Sequence, residues 1–178
     1  MYGYEKVSQN LVHQGKVVGF YEDIVKLPTG KTVTWDLVKH KGAAAVVPVT
    51  KDGKILLVRQ YRNALDVETL EIPAGGIEEG ETALQCVTRE IEEETGYKAG
   101  RMEHLMTIIT AIGFCDERIP IYIADHLIPT RQNLDDDEFI DVLEFTAEEI
   151  EEMIFDGRII DAKTIAGVLG YIRKQKNS

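Results

Sequence analysis

A chain of 178 residues, 44% hydrophobic and 29% charged, is long enough to form one domain with an ordinary core. It has no apolar run long enough to cross a membrane, and its N-terminus, MYGYEKVSQN, lacks the apolar stretch of a secretory signal. The formal net charge of -11 and the lack of a basic stripe argue against nucleic acid as a partner. Cys86 and Cys115 show no metal-ligand or redox spacing, so we expect a reducing, cytoplasmic environment.

The first forty residues have the pattern of an antiparallel strand system. We predict strands at 16–26 and 31–39, on either side of the turn Leu27-Pro28-Thr29-Gly30. Apolar positions such as Val17 alternate along a segment that is too small to bury them by itself. We therefore treat residues 1–41 as an N-terminal β segment that packs or exchanges across a two-fold homodimer interface.

Residues 42–178 have the mixed strand and helix pattern of an α/β domain. Apolar runs at 43–49 and 54–59 flank the turn Lys51-Asp52-Gly53 and predict a β-hairpin. Further strands are predicted at 70–72, 102–110, 119–124 and 140–145, and two closing helices at 147–155 and 161–174. The expected fold is a mixed sheet with helices packed on it, plus the N-terminal antiparallel β appendage.

A further helix is predicted between Thr82 and Gly96. Thr82 and Gln85 have the spacing of a capping box, and Gly96 is a suitable C-terminal stop. An apolar stripe at helical spacing is provided by Ala83, Val87 and Ile91.

The last turn of this helix is unusually acidic. Helix C-termini favour cations, and like charges at i,i+4 repel by roughly 0.2–0.5 kcal/mol, yet the turn contains Glu90, Glu92, Glu93 and Glu94. A solvated acidic face is one explanation. A bound cation is the other, because it reverses both penalties, and clustered hard oxygen ligands suit Mg²⁺ or Mn²⁺. Glu90, Glu93 and Glu94 share one helix face, whereas Glu92 points to solvent.

The segment from Gly75 to Tyr97 resembles the Nudix box, G-x5-E-x7-R-E-U-x-E-E-x-G-U, where U is a bulky aliphatic or aromatic residue. Every fixed position matches: Gly75, Glu81, Arg89, Glu90, Ile91, Glu93, Glu94, Gly96 and Tyr97. The resemblance implies that residues 42–178 form a Nudix hydrolase domain, an α/β/α sandwich with a mixed sheet. It also implies Mg²⁺-dependent (or Mn²⁺-dependent) hydrolysis of a pyrophosphate.

The same resemblance assigns roles within the box. Glu90 and Glu94 are the implied principal metal ligands, and Glu93 is a further ligand or a proton acceptor. The backbone carbonyl of Ala74, just before the first box glycine, is another implied ligand. Arg89 either binds substrate or pairs with a box carboxylate, and its acidic surroundings favour the pairing.

Two segments outside the box resemble the ADP-ribose pyrophosphatase branch of the family, Arg59-Gln60-Tyr61-Arg62 and Glu71-Ile72-Pro73-Ala74-Gly75. An arginine at the position of Arg62 contacts the pyrophosphate in that branch, and Arg59 and Glu71 are further candidate substrate-binding residues. The alternative for both arginines is an exposed position at a strand end.

A second acidic cluster, Asp135-Asp136-Asp137-Glu138, precedes the strand predicted at 140–145. By itself it reads as a solvated loop. In the branch, the corresponding segment supplies an acid to a metal or to the attacking water. Glu138 aligns with the metal-binding glutamate of that segment, and Asp136 is the candidate base.

The sequence departs from the branch at two positions. Ile112, in Ala111-Ile112-Gly113-Phe114, replaces the proline that usually marks the ADP-ribose enzymes, although Glu117 matches an acid of the same loop. Trp35 stands where relatives commonly have arginine. By default it is a core or interface residue. In the branch the N-terminal strands cross to a partner subunit and this position approaches the nucleobase, on which a tryptophan could stack.

The sequence therefore predicts an enzyme that hydrolyses the pyrophosphate of a nucleoside diphosphate sugar, with ADP-ribose converted to AMP and ribose 5-phosphate. A GDP-mannose or other sugar-nucleotide hydrolase is the alternative within the class. A non-catalytic, nucleotide-sensing Nudix domain is the alternative outside it. The retention of every box carboxylate disfavours this last alternative.

Overall fold

The computed structural model describes residues 3–135 and 138–177. The chain divides into two compact units, Met1–Gly42 with Ile109–Arg118, and Ala43–Ile108 with Ile119–Ser178. Within the described residues, no helix has the length and apolar character needed to cross a bilayer.

The first unit contains a three-stranded antiparallel sheet. Its strands, in the order β1-β2-β3, are Glu5–Gln14 (β1), Val18–Lys26 (β2) and Thr32–His40 (β3). The two predicted strands are confirmed as β2 and β3, but β1 was not predicted because its sequence lacks regular apolar alternation. The segment 109–118 joins this unit, since the amide of Val38 donates to the carbonyl of Phe114 at 2.7 Å.

The second unit contains the remaining strands and all three helices of the described chain. They are β4 (Ala43–Pro48), β5 (Ile55–Arg62), β6 (Val67–Glu71), β7 (Ala74–Gly76), α1 (Ala83–Thr95), β8 (Tyr97–Lys98), β9 (Arg101–Ile109), β10 (Arg118–Asp125), β11 (Ile128–Pro129), β12 (Ile140–Phe145), α2 (Ala147–Phe155) and α3 (Ala162–Gln175). Strands β9 and β10 extend to or across the division between the units. The strands listed above form three sheets, with the orders β7-β4-β10-β9, β12-β5-β6 and β11-β8. The four-stranded sheet is mixed, because β10 pairs with β4 in parallel.

The hairpin predicted for residues 43–59 is wrong beyond its turn. The turn itself forms, with the amide of Gly53 donating to the carbonyl of Thr50 at 3.0 Å. Only an isolated bridge, Val49 to Ile55, joins the two strands. Strand β4 then pairs with β7 and β10, whereas β5 pairs with β6 and β12. The local hairpin is therefore the one between β5 and β6. The partners β7 and β10 of β4, and the partner β12 of β5, lie far along the chain, which local alternation does not reveal.

Strand β4 is buried on both faces and joins the two halves of the core. Ala45 and Val47 belong to one cluster, which includes buried residues of α2 and α3. Ala44 and Val46 belong to the other, with buried residues of α1. This double burial explains the continuous apolar run of the strand. It also confirms helices on both faces of a mixed sheet, the expected α/β/α sandwich.

Helix α1 begins and ends where the sequence predicts. Thr82 is the N-cap in a capping box with Gln85, and Gly96 ends the helix in the left-handed conformation at φ 71°. Its acidic last turn contains no basic residue. The helix therefore ends in four glutamates, and its last turn itself supplies no basic side chain to pair with them.

Candidate active site

Strand β7 and helix α1 bring the box residues together in the second unit. Glu94 is only 3% exposed, and its Oε2 accepts a hydrogen bond from the amide of Ala74 at 3.1 Å. The carboxylate of Glu90 lies directly against Gly75, where a Cβ would meet Oε1 at 1.9 Å. Gly75 is therefore required for space, because any side chain there would displace Glu90.

Arg89 pairs with three box carboxylates. Its Nη1 donates to Glu90 at 2.5 Å and to Glu93 at 2.9 Å, and its Nε donates to Glu81 at 3.1 Å. The hydrogen bond with Glu81, followed by those with Glu93 and Glu90, raises the pKa of Arg89 against the effect of its burial. The predicted pairing with a box carboxylate is thus observed, and Arg89 fixes the orientation of its neighbours.

The surroundings of Glu90 and Glu94 disfavour the ionised form of both carboxyl groups, so the pKa of each is raised. Burial raises the pKa of Glu94 to about 8, and the carboxylates of Glu90 and Glu138 act in the same direction. Burial also raises the pKa of Glu90, and the charges of Glu93 and Glu138 add to the effect. A buried cluster of like charges with raised pKa values needs a cation to become fully ionised.

The carboxylate oxygens of this cluster are chemically suited to a divalent cation, but the side chains are oriented toward Arg89. Among the described residues, no group of three His, Cys, Asp or Glu side chains has the arrangement of a metal site. Glu90 and Glu93 instead share Nη1 of Arg89. Carboxylate oxygens are nevertheless the ligands that Mg²⁺ and Mn²⁺ favour.

A second charged network surrounds Glu71 at the end of β6. Arg62 donates to both carboxylate oxygens of Glu71, with each distance 2.7 Å, and Thr69 donates at 2.6 Å. The ammonium group of Lys163, near the start of α3, donates to the same carboxylate and lies 3.1 Å from Asp161. Burial opposes the ionisation of Glu71, but hydrogen bonds from these groups outweigh it and lower its pKa to about 2.

Arg62 and Arg59 have different surroundings, because residues three apart on a strand point to opposite faces. Arg62 is held by Glu71, and its charge lowers the pKa of Glu94 against the larger effect of burial. Arg59 pairs with Asp141 at 2.5 Å on the exposed side. The structure therefore brings Arg62 and Glu71 into the electrostatic surroundings of the box and leaves Arg59 paired elsewhere.

The acidic segment before β12 is described only in part. The amide of Glu138 donates to the carbonyl of Asp135 at 3.0 Å. Glu138 acts electrostatically on Glu90 and Glu94, as described above. Asp136, the candidate base, lies outside the described residues.

Trp35 and Glu117 both belong to the first unit. Trp35 is 50% exposed, with the ring of Tyr4 centred 6.0 Å away, and it lines a cleft together with Ile112 and Phe114. Glu117 accepts a hydrogen bond from Thr110 at 2.8 Å and lies 3.3 Å from the Nδ1 of His40.

Sequence reasoning missed two partners of Glu71. Lys163 lies 92 residues from it along the chain, and no local pattern distinguishes this lysine from a surface one. Thr69 lies two residues away on the same face of β6, so strand periodicity could have paired its hydroxyl with the carboxylate.

Glu90 and Glu94, near the end of α1, thus lie against strand β7 in an α/β/α sandwich. The NUDIX domain model matches residues 39–167. The chain belongs to the Nudix family and is a Nudix hydrolase, which confirms the expectation from the box. Enzymes of this family generally need a divalent metal.

Several relatives match most of the chain. It is 41% identical over 164 residues to the methanol dehydrogenase activator of Bacillus methanolicus, covering 91% of this chain and 89% of the relative. It is 39% identical over 160 residues to the ADP-ribose pyrophosphatase of Bacillus subtilis, covering 89% and 86%. The GDP-mannose pyrophosphatase of Escherichia coli is 31% identical over 155 residues, covering 78% and 80%.

A solved structure has the same fold. The crystal structure of an ADP compounds hydrolase superposes with a TM-score of 0.86, covering 98% of this chain and 95% of that one. The sequence identity is 17%, so this likeness supports the fold alone.

Proposed function

We propose that this protein hydrolyses the pyrophosphate of ADP-ribose, with Mg²⁺ as the physiological metal, to give AMP and ribose 5-phosphate. The observation that carries the proposal is the buried carboxylate pair Glu90 and Glu94 beside Ala74 and Gly75, within reach of the charge of Arg62. The 39% identity to an ADP-ribose pyrophosphatase supports the choice of substrate.

Glu90, Glu94, Glu138 and the carbonyl of Ala74 would hold the metal, with Glu93 as a further ligand or proton acceptor. A divalent ion bound there neutralises phosphate oxygens and lowers the pKa of a bound water. Because the chain is acidic overall, the substrate phosphates also need local cations.

Arg62 is the proposed contact to the pyrophosphate. Glu71 accepts from Nε and Nη2 of Arg62, which fixes the guanidinium group and leaves Nη1 for a phosphate oxygen. Glu71 would therefore contribute to substrate binding through Arg62. Arg59 would join only by leaving its pair with Asp141.

The reaction needs one water molecule and one proton acceptor. The water oxygen bonds to a phosphorus atom while the bridging P–O bond breaks, so that each product carries one phosphate. The proton of the water passes to a carboxylate, for which Glu93, Glu138 and Asp136 are the candidates.

We also propose a homodimer built through the first unit. Strand β1 leaves apolar side chains half-exposed, including Val7, Leu11 and Val12, and an exposed three-stranded sheet gains stability by pairing. By resemblance to the branch, Trp35 would approach the nucleobase and Glu117 the substrate in such a dimer.

Two other activities have a specific observation in their favour. Ile112 replaces the proline typical of ADP-ribose enzymes, and a GDP-mannose pyrophosphatase is among the relatives, which favours a different sugar nucleotide. The 41% identity to a methanol dehydrogenase activator favours a regulatory role toward such an enzyme.

A panel of nucleotide sugars tests the proposal. Each substrate is incubated with Mg²⁺, and the monophosphate products are measured by coupling to a phosphatase, with Glu94→Gln as the inactive control. We expect ADP-ribose to give the highest kcat/KM. Methanol dehydrogenase assayed with the wild-type and Glu94→Gln proteins then tests the regulatory role. Failure to cleave ADP-ribose under conditions where GDP-mannose is cleaved would contradict the proposal.

A further inference from the structure

The last turn of helix α1 receives its hydrogen-bond donors from a distant segment. The final carbonyls of a helix have no partner within it, and this turn has no basic residue to help. The amide of Thr130 donates to the carbonyl of Gly96 at 2.7 Å, and the amide of Asn133 donates to the carbonyl of Glu93 at 3.0 Å. Residues 130–133, called here the capping segment, thus supply neutral hydrogen-bond donors at a helix end whose last turn has no basic side chain.

Gln132 supplies the side-chain contact of the capping segment. Its Nε2 donates to the carbonyl of Glu94 at 2.7 Å and to the carbonyl of Ile140 at 3.3 Å. An amide nitrogen has two hydrogens, so these two bonds use both. One side chain therefore joins the backbone of a proposed metal ligand to the first residue of β12.

The approach of the capping segment also explains Gly96. A Cβ on Gly96 would lie 3.0 Å from the backbone nitrogen of Gln132, and the φ of 71° already favours glycine. Glycine at this position therefore leaves the space that the capping segment occupies at the end of the helix.

We propose that Gln132 is a positioning residue, which sets where Glu138 lies relative to the carboxylates of α1. Glu138 stands two residues before Ile140, so the bond from Gln132 to Ile140 limits how far the start of β12 can move from Glu94. The inference rests on the proposed function, because it needs Glu138 to act in hydrolysis. Both hydrogen bonds of the Gln132 Nε2 go to backbone carbonyls, so Gln132 is not a catalytic residue.

Gln132→Met tests this inference, because methionine keeps the length of the side chain but removes both donors. We expect kcat for ADP-ribose to fall by about 10–100-fold, the usual effect of losing a group that orients a metal ligand. KM should change by less than about twofold, since the capping segment is not among the proposed substrate contacts. Electron paramagnetic resonance of Mn²⁺ added without substrate should show weaker binding.

Two further variants keep the test decisive. Gln132→Asn retains the amide but is one methylene shorter, so it can reach at most one of the two carbonyls and should lower kcat in the same direction. Asn133→Ala is the matched control, because Asn133 contributes its backbone amide to Glu93, which alanine keeps. All variants are assayed below the temperature at which they begin to unfold, so that loss of folded protein does not lower the measured kcat.

A double-mutant cycle with Glu138→Gln distinguishes a role of Gln132 that acts through Glu138 from a general contribution of Gln132 to the structure of the site. If Gln132 acts through Glu138, Gln132→Met will lower kcat only slightly in a protein that already carries Glu138→Gln. Equal losses in both backgrounds would overturn the role of Gln132 and leave that of Glu138 intact. If Glu138→Gln alone has no effect on kcat, the proposed role of Glu138 fails, and the positioning role fails with it.

Discussion

The amide of Ala74 holds the carboxylate of Glu94 at 3.1 Å, which ties the helix that carries the acids to a strand of the sheet. Ala74 in turn pairs with Ala45 on β4, the strand buried on both faces. The position of Glu94 is therefore tied to the strand that is buried on both faces. A carboxylate anchored between a helix and a strand is placed more precisely than one carried by a loop.

Glu94→Gln is the sharpest test of the metal site. Glutamine keeps the shape and can accept from the Ala74 amide, but it loses the charge that binds the cation. We expect kcat to fall by about 1,000-fold, because the metal supplies several kcal/mol of transition-state stabilisation. Steady-state kinetics with saturating Mg²⁺ measure this. Glu92→Gln is the control, since Glu92 pairs with Lys98 away from Arg89. Full activity in the Glu94→Gln protein would rule out the assignment.

The stability of the metal-free protein should fall as the pH rises. The folded-state pKa of Glu94, about 8, lies above its ordinary value of 4.5. Its contribution is therefore fully present below pH 4.5 and is lost as the pH rises toward 8. We expect the Tm of protein in EDTA to decrease over this interval. Glu94→Gln or added Mg²⁺ should flatten the slope. If Tm still decreases with pH in the Glu94→Gln protein, the pH dependence comes from other groups.

Lys163→Met should destabilise the fold through Glu71. Lys163 and Glu71 are both largely buried, and removing one partner leaves the other charge poorly compensated. Such a loss typically costs about 3 kcal/mol, here moderated by Arg62 and Thr69, which still donate to Glu71. Urea denaturation measures the change. The control is Lys51→Met in an exposed turn. The free energy of unfolding of the double variant Glu71→Gln, Lys163→Met should fall by less than the sum of the decreases in the two single variants.

What the sequence could predict follows from how local each signal is. The caps of α1 and the placement of Glu90, Glu93 and Glu94 depend on residues within one helix, and the structure agrees with them. The pairing of β5 with β12 could not be predicted, because it joins segments far apart in the chain. The hairpin of β5 with β6 is local, but only residues 70–72 of that region are predicted as a strand from the sequence. Contacts such as Lys163 to Glu71 and Gln132 to Glu94 join residues 92 and 38 positions apart, and no periodicity encodes them.

The proposed dimer predicts a concentration-dependent assembly through β1. The exposed apolar side chains of this strand would be covered by a second copy of the sheet. Sedimentation velocity should show a dimer, and Leu11→Glu should shift it toward monomer by placing a charge in the interface. Lys16→Glu, outside the strands, is the control. A wild-type monomer with full activity would remove both the dimer and the proposed role of Trp35.

Ile112→Pro tests why this chain departs from the ADP-ribose branch. The amide of Phe114 donates to the carbonyl of Ala111 at 3.0 Å, which places Ile112 at the second position of a turn, where proline is favoured. Within the described residues, the amide of Ile112 makes no hydrogen bond, so proline removes none. The side chain is 82% exposed, and its loss leaves no cavity. We expect the variant to fold with a stability gain of about 0.4–1 kcal/mol.

The effect of that substitution on specificity is the final prediction. A stiffer turn should discriminate better between sugars, so the ratio of kcat/KM for ADP-ribose to that for GDP-mannose should rise in Ile112→Pro. One apolar contact changes such a ratio by about 10–200-fold, which limits the expected gain. Ile112→Ala separates the loss of the isoleucine side chain from the gain of the ring, and it should leave the ratio closer to that of the wild type. A wild-type preference for GDP-mannose beyond that range would make ADP-ribose the wrong substrate, whatever the effect of proline.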